Sequence, residues 1–148
     1  MEDNKKQLKE AIKREYAKCA QDPTYFLGKY GIIQHPVKGK VNFNLYDFQE
    51  KSLKSFMEHD YNIVLKARQL GLSTLTAGYA LWMMTFQQDK NILVIATKQE
   101  TAKNLVTKVR VMHANLPGWL KQPCVEDNKL SLRYKNGSQI KAVASSEE

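Results

Sequence analysis

Residues Asn62–Thr76 read NIVLKARQLGLSTLT, and their order constrains the chain more than any other segment. A short apolar run, Ile63-Val64-Leu65, leads to Gly71, and a hydroxyl pair, Ser73-Thr74, then opens a stretch with helical spacing. The apolar run predicts a strand and the glycine a tight turn. Leu75, Tyr79, Trp82 and Met83 predict the inner stripe of a helix over Ser73–Phe86. Asn91–Ala96 (NILVIA) is a second apolar run, suited to a parallel strand covered on both faces. A strand, a glycine turn, a helix and a strand make one unit of an α/β fold, with helices flanking a parallel sheet.

The same layout is that of a phosphate-binding P-loop, whose pattern is GxxxxGK[ST]. Aligned on Gly71, Lys66 takes the first position, Leu72 the lysine position and Ser73 the magnesium-binding hydroxyl. Backbone N–H groups of such a loop and of the first helical turn converge on phosphate oxygens. A hydroxyl completes a magnesium shell, and a cation neutralises the β- and γ-phosphates. Leu72 cannot supply that charge. Lys66, at the other end of the loop, is positioned to reach the phosphates from the opposite side. On these residues alone, a buried strand with an ordinary strand-to-helix turn is an equal alternative.

The neighbouring segments add context. Thr97-Lys98-Gln99-Glu100 has the spacing of a capping box, and Ala102, Leu105, Val106, Val109 and Met112 form one stripe of the helix after it. That helix is expected to end near Pro117-Gly118. Leu45–Gln49 precedes an amphipathic helix carrying Leu53, Phe56 and Met57. A glutamine at Gln49 has the amide needed to read an adenine edge, although by itself it reads better as a solvated helix-start residue. Lys129–Tyr134 alternates, Asn136-Gly137 signals a type I′ turn, and Ser138–Val143 pairs back as a C-terminal β-hairpin. Gln34–Lys40 is a hairpin-like connector between Ile32-Ile33 and Val41–Phe43.

IQHPVKGKVNFNLYDFQ, KARQLGLSTLTA and LVIATKQETAKNL, in that order, resemble the N-terminal ATPase part of a terminase large subunit. The nearest type is the T-even-like DNA-packaging motor of tailed phages, and the likeness runs from about Asp22 onward. The resemblance implies a P-loop NTPase-type parallel sheet, ATP and Mg2+ as cofactors, and an adenine-reading Q motif at Gln49. It puts an arginine finger at Arg68, and it puts nucleotide contacts at Lys66, Ala67, Arg68, Gln69, Gly71, Leu72, Ser73 and Thr74. Ser73 would also be the metal ligand. Lambda-type members place the lysine at the first loop position, so Lys66 inherits its role together with Arg68 as a catalytic residue. The family's partners are double-stranded DNA, the portal and the small terminase subunit. It works in the host-cell cytoplasm and transiently at the procapsid portal.

The resemblance also implies that Walker B carboxylates follow the serine-containing stretch after the hairpin. No apolar run followed by paired acids occurs in this sequence, and Glu147-Glu148 reads as a solvated terminus. Residues 21–148 are therefore expected to form a truncated ATPase domain, inactive alone, without the coupling motif and the nuclease domain. A fragment monomer or weak dimer is expected. Two alternatives stand beside it: a piece of a helicase-type DNA translocase, and a non-catalytic nucleotide- or DNA-binding remnant of an interrupted gene.

Composition agrees with one small domain. Lys plus Arg number 23 against 15 acids in 148 residues, a net charge of +8 that suits a phosphate-rich partner. Residues 1–20 form a basic helix with Leu8, Ile12, Tyr16 and Cys19 on its apolar stripe, expected to be mobile. Cys19 and Cys124 have no metal-binding spacing, and no segment has the length and apolarity of a membrane span.

Overall fold

The computed structural model describes residues 2–145, with side chains from Asn4 onward, so Glu147-Glu148 lie outside the described residues. The chain is α/β, with six strands and five helices among the described residues. They are α1 (Glu2–Gln21), α2 (Pro23–Tyr30), β1 (Ile32–His35), β2 (Gly39–Asn42), α3 (Asp47–Glu58), α4 (Leu72–Phe86), β3 (Asn91–Ala96), α5 (Gln99–Ala114), β4 (Cys124–Asp127), β5 (Ser131–Tyr134) and β6 (Gln139–Ala144). No described helix is long and apolar enough to cross a membrane.

The main sheet is mixed rather than parallel, in the order β3-β6-β5-β4. Only β3 and β6 run parallel, in register from Asn91↔Gln139 to Ala96↔Ala144. β4, β5 and β6 form an antiparallel meander. The expected strand at Ile63–Leu65 is absent. Residues 61–67 are irregular and exposed, with Ile63 and Leu65 both 100% accessible. A lone extended segment has no ladder hydrogen bonds, so its apolar side chains do not make it a strand. No described strand pairs with the outer edge of β3.

That edge strand is also covered on one face, not two. Ile92 and Val94 pair with Ile140 and Ala142 and face the core, where α5 packs on β3 and β6. Leu93 and Ile95 alternate onto the other face and are about 60% accessible, with Val143 beside them.

The hairpin after Lys129 is present, but its turn differs from the expected type I′. Gly137 is left-handed (φ 86°), whereas Asn136 is not among the residues with positive φ. Gly137 N–H donates to the Tyr134 carbonyl, and Tyr134 N–H to the Ser138 carbonyl, which is a wider loop closed by a left-handed glycine. Asn136 is held by tertiary partners: its amide donates to the carbonyls of Met84 (2.7 Å) and Gln87 (3.3 Å) at the end of α4. The capping box at Thr97 is likewise not made. α5 starts at Gln99, after Lys98, with no side-chain cap.

α4 is the centre of the molecule. Leu72, Leu75, Ala77, Gly78, Ala80, Leu81, Trp82, Met84 and Thr85 are buried, so it is enclosed on several sides rather than along one stripe. α2, α3 and α5 pack around it. The second half of α1 joins this core. Cys19 is fully buried, its carbonyl accepts from the Trp82 indole (2.8 Å), and Tyr16 meets Phe86 edge to face. Leu8 remains exposed, so the apolar stripe docks only toward its C-terminal end. Glu15 ties α1 to α2 by accepting from Lys29 (2.7 Å), Tyr25 (2.8 Å) and Tyr30 (2.8 Å). The Lys29 bond leads those of Tyr25 and Tyr30 in holding the Glu15 carboxyl down to about 2.

Candidate functional site

Gly71 is the pivot of the loop. It precedes α4 in the left-handed region (φ 70°), two residues after Gln69, also left-handed at φ 61°. Gly71 carries no side chain to cap the helix, and the first turn of α4 holds no acidic residue. Among the described residues, the N–H groups of Leu72, Ser73 and Thr74 therefore have neither a helical nor a side-chain acceptor, and no acidic side chain compensates the positive end of the helix dipole. An anion is the natural complement of such an end.

Gln49 holds this loop in place. It is 1% accessible, at the start of α3. Its Oε1 accepts from the Tyr46 N–H (3.0 Å), and its Nε2 donates to the Leu70 carbonyl (3.2 Å). The amide passes so close beneath Gly71 that a Cβ there would lie 2.8 Å from Nε2. Glycine is thus required twice, by its φ and by this approach. The solvated helix-start alternative for Gln49 is excluded by its burial.

The loop opens onto a cavity of about 750 Å³. Its walls include Tyr46, Gln49, Gln69, Leu70, Gly71 and Thr74 on one side, and His35, Lys38 and Lys40 from the β1–β2 ribbon on the other. The His35 ring organises the ribbon tip: Nδ1 accepts from the N–H groups of Val37 (3.2 Å) and Lys38 (3.1 Å). A second cavity, about 340 Å³, adjoins it between β1 and α5, and Ile33 and Thr74 line both. Lys108 lines the second, and its Nζ donates to the Thr74 hydroxyl at 3.0 Å.

The expected site residues separate into two groups. Gln49, Gln69, Gly71 and Thr74 meet at the larger cavity. Ser73 is exposed in the first turn of α4 and lines neither cavity. Leu72 packs in the hydrophobic core at 8% accessibility, which explains why an apolar residue is stable there. Lys66, Ala67 and Arg68 lie on the exposed irregular segment, and none of them lines either cavity.

Sequence reasoning did not single out the ribbon lysines or Lys108 for this site. Lys108 is 34 positions beyond Thr74, and nothing in its local spacing marks it. Among the described residues, no carboxylate lines the larger cavity, and no group of three or more His, Cys, Asp or Glu residues is placed to hold a metal ion. The arrangement can hold an anion and satisfy a polar base edge, but among the described residues its walls carry no carboxylate to serve as general base, and the Nδ1 of His35 is already taken by the N–H groups of Val37 and Lys38. No protein-family model matches the chain.

Proposed function

We propose that the chain binds a nucleoside triphosphate at Gly71–Thr74, as the nucleotide-binding part of a terminase-type DNA-packaging ATPase. The observation that carries this is the meeting of Gln49 with the loop, 21 residues away in sequence, at the wall of one cavity. A primary amide offers two donors and two acceptor positions. Gln49 uses one of each on protein, which leaves one of each for an adenine edge.

The uncapped N–H groups of α4 would receive the phosphates, with Ser73 facing a magnesium ion that the phosphate oxygens also bind. Ser73 would offer the ion one exposed hydroxyl, and phosphate oxygens and water would supply the rest of its shell. Lys66 and Arg68 would approach the γ-phosphate only once residues 61–67 fold back against the loop. Double-stranded DNA is the proposed partner, met through the dispersed excess of lysine and arginine, with portal and small terminase subunit completing the motor.

Titration with ATP, with and without magnesium, tests the nucleotide site, and saturable binding strengthened by magnesium is expected. Turnover should stay at background, because no carboxylate among the described residues lines the cavity. Magnesium-dependent hydrolysis near ~1 s⁻¹, the low end of ordinary enzymes, would sink the claim that the described residues lack a base.

A second reading, a DNA-binding piece without nucleotide chemistry, is favoured by the exposure of Lys66 and Arg68 away from both cavities. It requires salt-sensitive DNA binding and no ATP binding at all.

A further inference from the structure

We propose that Lys108, on α5, supplies the positive charge that Leu72 removes from the phosphate loop. Its role rests on the nucleotide reading above and deepens it. Leu72 is committed to the core, and Lys66 is exposed on a segment that lines neither cavity. Three lysines do line the two cavities around Thr74: Lys38, Lys40 and Lys108. Lys38 and Lys40 are exposed on the ribbon. Lys108 differs from them in being half-buried and fixed, with Nζ 3.0 Å from the Thr74 hydroxyl.

An ammonium has three donors, and the Thr74 hydroxyl takes one of those of Lys108, leaving two. Thr74 is the third residue of α4, within the turn whose N–H groups lack acceptors. The ammonium therefore stands beside the positive end of the helix, with donors to spare and no carboxylate bonded to it among the described residues. Concentrating positive potential in this way favours a multiply charged anion, and a polyphosphate chain more than a single phosphate. A compact ammonium serves phosphate as a point charge, so its place of origin in the chain matters less than where Nζ sits. Here α5 delivers it from the side, across Thr74, in place of the loop's own lysine.

The test is isothermal titration of the whole chain with magnesium-ATP and, separately, with inorganic triphosphate. Lys108→Gln keeps a donor for Thr74 and removes the charge. It is expected to weaken both ligands about 10- to 100-fold, the range for hydrogen bonds to charged groups. Lys108→Arg, which keeps the charge, should stay within about 3-fold of the parent. Thermal melts of each variant confirm that a loss of binding is not a loss of fold.

Parent-like binding by Lys108→Gln would overturn the proposal and leave the nucleotide site standing. A loss with ATP but not with triphosphate would overturn it too, because the contact would then lie away from the phosphates. If the parent chain binds neither ligand, the nucleotide site itself is removed, and the role of Lys108 with it.

Discussion

The two flanks of Gly71 have opposite surroundings. On the helix side, α4 is enclosed by α2, α3 and α5, and Gln49 fastens the loop to α3. On the strand side, Tyr61–Ala67 is exposed, with Tyr61 94% accessible, and is tied to the end of α3 through Asn62, which accepts from the Ser55 hydroxyl and donates to the His59 carbonyl. The two flanks are comparably apolar in sequence. The helix closes its own backbone hydrogen bonds and needs only side-chain neighbours, whereas a strand needs another strand beside it before its backbone is satisfied. A phosphate loop is thus held firmly by one flank and loosely by the other.

The sharpest way to break this contrast is a pair of truncations. Leu81→Ala, in the core of α4, should cost about 2–5 kcal/mol in urea unfolding. Ile63→Ala, on the exposed flank, should stay within about 0.5 kcal/mol. A large cost at Ile63 would mean that the segment is docked in solution. Gln49→Ala comes next. It strands the Leu70 carbonyl and the Tyr46 N–H, at about 1–3 kcal/mol, and should speed amide exchange at Gly71 more than in α5. Equal exchange at both places would show that Gln49 is not the fastener.

Gly71→Ala should cost about 1–2 kcal/mol for its left-handed φ and displace the Gln49 amide besides. The expected signature is lost stability together with weakened ATP binding. An unchanged melt would place Gly71 in an ordinary helical conformation.

The smallest effect concerns α1. Glu15 has its carboxyl lowered from the ordinary 4.5 to about 2, foremost by the Lys29 hydrogen bond. A depressed carboxyl stabilises the fold above pH 4.5, and that contribution disappears as pH falls from 4.5 toward 2. Acid titration followed by the fluorescence of Trp82 in a Trp119→Phe background should show α1 loosening in that window, with the Glu15→Gln variant flat across it. The same slope in both would assign the acid sensitivity elsewhere.

Four of the five described helices (α1, α3, α4 and α5), the C-terminal hairpin and the β1–β2 ribbon were legible in the sequence because their signals are local, whereas α2 was not singled out. Ala102, Val106, Val109 and Met112 form a buried stripe at helical spacing, and alternation around Asn136-Gly137 returns the chain on itself. Gln49 and Gly71 could be marked as site residues by type and order. Their coupling could not, because it depends on α3 lying against the loop.

Tertiary structure alone decided the rest. Ile63–Leu65 and Asn91–Ala96 carry similar apolar runs, yet only the latter has a partner, β6, and only it is a strand. The turn at Asn136 is set by carbonyls of α4, and the position of Lys108 by the packing of α5 beside α4. Periodicity encodes which face of a segment is apolar. Which backbone completes a ladder, and which distant ammonium reaches a given hydroxyl, depend on contacts between segments far apart in sequence, and these exist only after the chain has folded.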